Sequence, residues 1–456
     1  MTRGVPMPLS YAGVDGWIRT GSVAGVSRRK IRVAIPGLTI GACVEIERTG
    51  MPDVVAEVVE LEGSFATCTP IATSIGVIAG ARARSTGAHI GSFVGEPLLG
   101  RDVDAWGRAP NIEGARVVCP DHPVGSLERV PICRPLRTGV AAIDALTTIG
   151  YGQRIALFAG AGVGKTTLLR RILDRADVNA RVIALVGERG REAAELIESL
   201  RDDERRPSTT VVCATADAPP LERLAAVRTA TLHAQTLATE GRHVLLVVDS
   251  LTRAATAWRE HALEAGEPPA HRGQPPSLAS MLAALVERAG AWTIGSVTGV
   301  YAVLVDGDDV REPVTDSVRG LLDGHIVLSR RLAEAGMFPA IDVLRSLSRL
   351  MPDVASETHH ADASTVRAAL ATLEQAEDLF AIGAYAPGGD VALDAAVASR
   401  AEIFNLLYAG QTFSDEPATS TLDVLASIAS RLRAAPSPTE PRRSKARSGK
   451  RRVQAR

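Results

Sequence analysis

The stretch from Leu157 to Leu173, LFAGAGVGKTTLLRRIL, constrains the fold of this 456-residue chain more than any other. It joins an apolar run to three glycines within five residues, then to a lysine, two threonines and a helix-like pattern. The apolar run predicts a buried strand, and the last residues predict a helix. A glycine-rich turn between them points several backbone N–H groups inward, at the positive end of the helix dipole. We therefore expect phosphate groups to bind here.

The residues from Ala159 to Thr166 fit the Walker A pattern G-x-x-x-x-G-K-[ST], with alanine in place of the first glycine. Lys165 can reach the terminal phosphates, and the hydroxyl of Thr166 can ligate Mg²⁺. A glycine turn that merely precedes a helix is the alternative, but the flanking strand and helix favour ATP and Mg²⁺ as cofactors. The predicted nucleotide-binding residues in this loop are Ala159, Gly160, Ala161, Gly162, Val163, Gly164, Lys165, Thr166 and Thr167.

Two acidic residues follow other apolar runs, at the strand ends where ligands bind in open α/β sheets. Asp249 closes HVLLVVDS, which is the pattern of a Walker B strand, and we expect its carboxylate to hold Mg²⁺, partly through water. A helix cap is the alternative for this aspartate. Glu188 follows VIALVG and can orient the water that attacks the γ-phosphorus, although GERGRE alone also fits an ordinary charged loop.

Strand-like and helical stretches alternate from about Pro131, and this alternation predicts a parallel α/β sheet. The predicted strands are RIALFAG, RVIALVGE, TTVVCATA, HVLLVVDS and VYAVLVDG. Short β-rich runs before them predict a small antiparallel barrel, and apolar residues at helical spacing after about Ser364 predict helices. We therefore expect a barrel domain over residues 1–90, a nucleotide-binding domain over 91–363, a helical domain over 364–434 and a basic, disordered tail over 435–456.

Charge and composition exclude several other classes of protein. The formal net charge is −1, and the eight basic residues between Pro441 and Arg456, with no acidic ones, leave −9 for the rest. An acidic body argues against nucleic acid as a partner. The five cysteines include no CxxC pair, so we expect free thiols. Because the first residues lack a signal-peptide core and no run approaches about 20 apolar residues, we expect a cytosolic protein.

The motifs FAGAGVGKT, GERGRE and VLLVVDSLTR follow one another in this order, and RLAEAGMFPAIDVLRSLSRLM and IGAYAPGGD come later. In these motifs the chain resembles the catalytic-subunit family of rotary ATPases, and more specifically the type III protein-export ATPases of flagella and injectisomes. The resemblance is close from about Pro131 to Gly389 and looser on either side. It implies a RecA-like P-loop NTPase core between an N-terminal β-barrel and a C-terminal helical domain.

The resemblance also implies the roles of individual residues. Lys165 and Glu188 are then catalytic, and Arg189 lies close to the nucleotide. Arg349, in SLSRLM, matches the arginine that such enzymes insert into the site of the next subunit. A cation there stabilises the charge on the phosphoryl group during transfer. From the sequence alone, Arg349 is an ordinary surface arginine.

Partners and function follow from the same resemblance. It implies a ring of identical subunits, most often a hexamer, that hydrolyses ATP and releases or unfolds cargo for export. The implied partners are export chaperones with their cargo proteins, stalk or regulator proteins, and the membrane export gate. The chain is then cytoplasmic or peripheral at the inner face of the cell membrane, with an injectisome slightly preferred to a flagellum.

Three alternatives stay open at this point. The chain can be the catalytic subunit of an F- or V-type ATP synthase, or a non-catalytic nucleotide-binding subunit, which Glu188 and Asp249 oppose. It can also be an RNA-translocating ring of the transcription-termination type, which the absence of aromatic residues from KIRVAIPGLTIGACVEIERTG disfavours. Phe413 and Tyr385 are candidates for contacts with adenine, and a core position is the alternative for both.

Overall fold

The computed structural model describes residues 7–11, 17–118, 126–305, 313–408 and 419–434. The chain divides into two compact units, residues 1–356 and 357–456. Phe413 and the predicted tail over 435–456 lie outside the described residues. Among the described helices, none combines the length and the apolar composition that a membrane crossing requires.

The first strands form a closed antiparallel barrel in the order β2-β3-β6-β5-β4-β7. Buried and more exposed residues alternate in the middle of β5, where Val54, Ala56 and Val58 are buried. One face of this strand therefore packs into the apolar interior of the barrel. The β-rich runs SVAGVS, KIRVAIPG, ACVEIERT, VVAEVVELEG and FATCTPIA predicted the strands β2 to β6, and the short β7 closes the barrel between β2 and β4. The strands of this part of the chain, of which β1, β8 and β9 lie outside the barrel, are β1 (Leu9–Ser10), β2 (Arg19–Val26), β3 (Ile31–Ala34), β4 (Cys43–Arg48), β5 (Met51–Glu62), β6 (Phe65–Pro70), β7 (Arg82–Ser85), β8 (His89–Ile90) and β9 (Ser92–Val94).

A larger sheet lies at the centre of the first unit, in the order β10-β16-β15-β17-β19-β14-β20-β21. Neighbouring strands from β10 to β20 run parallel, and β21 is antiparallel to β20 at the edge. All five predicted strands are confirmed. The remaining strands are β10 (Asp102–Val103), β11 (Arg116–Val118), β12 (Pro135–Leu136), β13 (Ile149–Gly150), β14 (Arg154–Ala159), β15 (Ala180–Val186), β16 (Thr209–Ala214), β17 (His243–Asp249), β18 (Gly290–Ala291), β19 (Ser296–Leu304), β20 (Gly324–Val327) and β21 (Leu347–Ser348).

Helices connect the parallel strands and cover the sheet, whose central strands are buried along their length. The longest, α4, contributes Val227, Ala230 and Ala234 to the same apolar core as the strands. The helices of this unit are α1 (Ala141–Leu146), α2 (Lys165–Arg175), α3 (Gly190–Leu200), α4 (Pro220–Thr239), α5 (Leu251–Ala265), α6 (Ser277–Val286), α7 (Pro313–Leu321), α8 (Arg330–Glu334) and α9 (Met351–Val354).

The second unit is helical, as predicted, and comprises α10 (Glu357–Gln375), α11 (Glu377–Ala381), α12 (Val391–Tyr408) and α13 (Thr419–Ala434). Val366 on α10, Ile403 on α12 and Ile428 on α13 are buried, because these three helices pack on one another. Its first helix begins at Glu357, before the predicted start at about Ser364. The first residues, ETHH, are polar, so the first turn lacks the apolar spacing by which a helix is predicted. The parallel sheet, the barrel and these helices together confirm the predicted fold class.

The cysteines of the described residues carry free thiols, as predicted. They are Cys43, Cys68, Cys133 and Cys213, and Cys119 lies outside the described residues. Burial raises the pKa of the Cys43 and Cys68 thiols, which line the barrel, to about 12. These two therefore stay protonated at neutral pH.

Candidate nucleotide site at the carboxyl edge of the sheet

The glycine-rich loop joins the end of β14 to the start of α2. Gly162 and Gly164 have φ angles of 77° and 90°, which side chains with a Cβ rarely adopt. Ala159 is still part of β14 and is not among the non-glycine residues with positive φ, so alanine fits the first position of the motif. No side chain caps the N-terminus of α2, and its first backbone N–H groups are therefore available to phosphate oxygens.

Three of the predicted side chains meet at this edge of the sheet. Lys165 begins α2, Glu188 follows β15, and Asp249 ends β17, which is the neighbour of β15 in the sheet. The Nζ of Lys165 donates a hydrogen bond to Oδ1 of Asp249 and lies 3.6 Å from Oε1 of Glu188. All three side chains are nearly buried. Lys165 therefore pairs with both carboxylates.

Glu188 is held in an environment that disfavours its charge. Its Oε1 is buried and accepts no hydrogen bond, although Lys165 lies within ion-pair distance. Burial raises the pKa of Glu188 above its ordinary value, and the charge of Asp249 adds to this, while Lys165 and Arg253 oppose it. A carboxylate with an unsatisfied oxygen beside the phosphate loop is suited to accept a hydrogen bond from a water molecule.

The turn that carries Glu188 depends on a glycine. Gly187 has a φ of 65°, and a Cβ there would lie 3.1 Å from Cβ of Arg253. The Nε of Arg253 is itself buried without a hydrogen-bond partner. Oε1 of Glu188 and Nε of Arg253 are thus two buried polar atoms at this edge whose hydrogen-bonding capacity is unused.

The other predicted ligands of the nucleotide lie around this cluster. Thr166 and Thr167 are exposed on the first turn of α2. Arg189 is the N-cap residue of α3, and its guanidinium is exposed and donates to Oε1 of Glu192 at 3.0 Å. The structure therefore places Thr166 next to the lysine along the helix, whereas Arg189 points to solvent.

An aromatic residue that the sequence patterns missed lies over the loop. Phe338 is 41% exposed, and a Cβ on Gly164 would lie 3.5 Å from its Cε1 atom. An exposed ring beside a phosphate loop can stack on a nucleobase. Of the predicted candidates, Tyr385 belongs to the second unit and donates a hydrogen bond to Asp394, and Phe413 lies outside the described residues. The only sequence signal was an aromatic residue in the motif AGMFPAID.

Arg349 lies at the opposite edge of the same sheet. It follows β21, in which Leu347 pairs with His325 of β20, and His325 pairs with Ala156 of β14. Since β21 runs antiparallel, Arg349 stands level with the first residue of β14, whereas the phosphate loop follows the last. At strand spacing this separation is about 16 Å. Arg349 is exposed and cannot contact the phosphate loop of its own chain.

Two family models match the chain. The ATP synthase alpha/beta family, nucleotide-binding domain, matches residues 139–348, and the T3SS EscN ATPase C-terminal domain matches residues 355–420. The first therefore spans the phosphate loop, both acidic residues and β21, and it ends one residue before Arg349. The second covers most of the described helical unit.

Whole-chain comparisons agree. The SPI-2 type 3 secretion system ATPase of Salmonella typhimurium is 42% identical over 403 residues, which cover 88% of this chain and 92% of that protein. The flagellum-specific ATP synthase of Bacillus subtilis is 40% identical over 89% of this chain and 93% of its own. The structure of the assembled ATPase EscN from the enteropathogenic E. coli type III secretion system matches with a TM-score of 0.83 and 38% identity. That match covers 90% of this chain and 100% of EscN.

Proposed function

The chain belongs to the type III secretion and flagellum-specific ATPases of the ATP synthase alpha/beta family, and on this premise we propose that it hydrolyses ATP to drive protein export through sites shared between identical subunits. One observation carries the shared site. Lys165, Glu188 and Asp249 converge at one edge of the sheet, and Arg349 projects from the other. A closed ring brings such opposite surfaces of neighbouring subunits together at every interface.

Each side chain has a distinct task in this proposal. Lys165 leaves Asp249 and binds the terminal phosphates together with the N–H groups of the loop. Glu188 accepts a proton or hydrogen bond from the attacking water and aligns it. Arg349 of the next subunit stabilises the charge on the phosphoryl oxygens, and Phe338 stacks on the base. Burial of Lys165 and Glu188 strengthens these interactions because little water screens them.

Magnesium fits the residues present. A hydroxyl and a carboxylate, from Thr166 and Asp249, are the hard oxygen ligands that Mg²⁺ prefers alongside phosphate oxygens and water. The Lys165–Asp249 contact supports this, because it places the carboxylate beside the first turn of α2, next to Thr166 and the phosphate loop. The bound ion would neutralise charge on the β- and γ-phosphates.

The proposed assembly is a hexameric ring with the barrels as a collar and the helical unit toward chaperones and cargo. EscN has been solved as an assembled ATPase and in complex with its central stalk EscO, and both structures support a ring and a stalk partner for this chain too. The ring would work in the cytoplasm, at the inner face of the membrane that holds the export gate.

An injectisome is our first choice of export system, since the matching C-terminal family model is that of a type III secretion ATPase. A flagellum is the second candidate, because flagellum-specific relatives are equally similar. Deletion of the gene distinguishes them. Loss of effector release with normal motility supports the injectisome, and loss of motility with normal effector release supports the flagellum.

A mixing experiment tests the shared site. Glu188→Gln and Arg349→Ala proteins should each be inactive alone, and random mixing in rings should restore about a quarter of the sites, where an intact Glu188 meets an intact Arg349. Steady-state ATP hydrolysis measures the recovery. Mixed rings that form but hydrolyse no ATP would show that the arginine does not act across the interface.

A further inference from the structure

The amino edge of the sheet holds a set of hydrogen bonds that ends at Arg349. The backbone N–H of Arg349 donates to the carbonyl oxygen of Asp323 at 2.9 Å, and its Nη2 donates to the carbonyl oxygen of Arg319 at 3.3 Å. The guanidinium is otherwise exposed. The direction in which this side chain leaves the surface is therefore set by the backbone of α7 and of the turn before β20.

That turn is fixed in its own right by the first residues of β14. The guanidinium of Arg154 donates from Nε to Oδ2 of Asp323 at 3.0 Å and from Nη2 to Oδ1 at 3.1 Å. The backbone N–H of Arg154 also donates to Oδ2 at 3.0 Å. This fork-shaped pairing holds a carboxylate in one orientation. The carbonyl that anchors Arg349 belongs to the residue that Arg154 holds.

A buried glutamine adds a second link between β14 and the strand that precedes Arg349. Gln153 is fully buried, and its Nε2 donates to Oγ of Ser348 at 3.0 Å and to the carbonyl oxygen of Asp323 at 3.2 Å. Its Oε1 accepts a hydrogen bond from the backbone N–H of Gly150 at 2.8 Å, which fixes the orientation of the amide. Gln153 therefore contacts two groups that hold Arg349. One is Ser348, the preceding residue in β21, and the other is the carbonyl of Asp323, which accepts the hydrogen bond from the N–H of Arg349.

We propose that Gln153, Arg154, Asp323 and Ser348 are positioning residues that hold Arg349 for the nucleotide site of the neighbouring subunit. This inference rests on the proposed function, because it needs Arg349 to act across the interface. None of the four residues touches the nucleotide of its own subunit, since all lie at the amino edge. Their effect on hydrolysis is exerted through Arg349 and is felt in the next subunit.

Mixed rings test this directly. A donor subunit carries Glu188→Gln and supplies Arg349, and an acceptor subunit carries Arg349→Ala and supplies the intact phosphate loop with Glu188. Adding Ser348→Ala or Asp323→Asn to the donor should lower the restored hydrolysis about tenfold, because a misplaced catalytic group loses much of its effect. The same substitution in the acceptor, where no arginine is left to position, should lower it far less.

Control measurements separate positioning from general damage. Ser346→Ala in the donor removes another buried serine of the same segment. This serine bonds to Asp342 and Val327 rather than to Gln153. The restored ATP hydrolysis should therefore stay near that obtained with the plain donor. Thermal unfolding and ring formation should be similar for the serine variants. Two substitutions are used so that one poorly folded protein does not decide the result.

The outcomes are distinct. Equal losses from donor and acceptor, or no loss from the donor in both variants, would overturn the positioning role while leaving the shared site intact. Failure of the plain donor and acceptor to complement each other in mixed rings would instead remove the proposed function, and the positioning role with it. A loss confined to the donor supports both.

Discussion

The two edges of the central sheet handle their charged groups in opposite ways. At the carboxyl edge, Oε1 of Glu188 and Nε of Arg253 are buried without hydrogen-bond partners, and Lys165 is shared between two carboxylates. At the amino edge, Arg154 makes three bonds to the Asp323 carboxylate. Buried polar groups without partners are costly, and beside the phosphate loop they are placed to interact with a bound nucleotide. The Arg154–Asp323 pair is instead suited to holding Arg349 in one orientation.

Among the changes considered, Arg349→Ala should lower ATP hydrolysis the most. We expect kcat to fall about a thousandfold, because an arginine at the transferring phosphoryl group contributes on that scale. Steady-state ATP hydrolysis by assembled rings measures the effect. Arg345→Ala, which removes another exposed arginine four residues earlier, is the matched control and should leave kcat nearly unchanged. Full activity of the Arg349 variant would reduce the amino edge to a structural role.

Glu188→Gln probes the carboxyl edge. We expect hydrolysis to fall about a hundredfold or more, since the amide cannot take the proton of the attacking water. ATP affinity should persist, because the variant removes a negative charge near the phosphates and leaves the loop intact. Equilibrium binding and single-turnover hydrolysis measure the two quantities separately. Glu192→Gln, at an exposed glutamate paired with Arg189, serves as the comparison, and equal losses in both variants would contradict the assignment.

A third polar site, separated from β14 in the sheet by the strands β15, β17 and β19, sharpens the comparison. His233 on α4 is fully buried, accepts a hydrogen bond from the N–H of Gly95 and contacts Oγ1 of Thr210. Burial lowers its pKa from 6.5 to about 3. The folded state therefore binds fewer protons than the unfolded state, and the stabilising contribution present above pH 6.5 is lost as the pH falls toward 3.

We expect this histidine to make the free energy of unfolding fall by about 2 kcal/mol between pH 7 and pH 5. Denaturant titrations of the wild type and of His233→Gln measure the pH dependence. The variant should show a flatter profile over this window, whatever its stability at neutral pH. The same pH dependence of unfolding free energy in the two proteins would mean that His233 has the same pKa in the folded and unfolded states, and would contradict this prediction.

Phe338→Ala should have the smallest effect and should act on binding. Loss of a stacked ring is expected to weaken ATP affinity about tenfold, with kcat largely preserved. Phe338→Tyr keeps the ring and should bind as the wild type does. Titration with a fluorescent ATP analogue, checked by competition with ATP, gives the affinities. An alanine variant of unchanged affinity would place the base elsewhere.

The carboxyl edge could be predicted from the sequence because its signals are local. A strand, a glycine turn and a helix lie within one stretch around Lys165, and Asp249 directly ends its own strand. The residues that hold Arg349 at the amino edge could not be predicted, since Gln153 and Ser348 are 195 positions apart and meet only through the strand order of the sheet. The position of Phe338 beside the phosphate loop could not be predicted for the same reason, because Phe338 lies far from Gly164 in the sequence.

Strand β14 begins at the hydrogen bonds that anchor Arg349 and ends at the phosphate loop. In the proposed ring, a displacement of this strand when its own nucleotide is cleaved would be transmitted to the Arg349 that faces the adjoining subunit. The effect would reach one neighbour only, because each Arg349 would face a single nucleotide site. Such a ring would couple its sites in one direction, and that direction would be set by the polarity of β14 in each protomer.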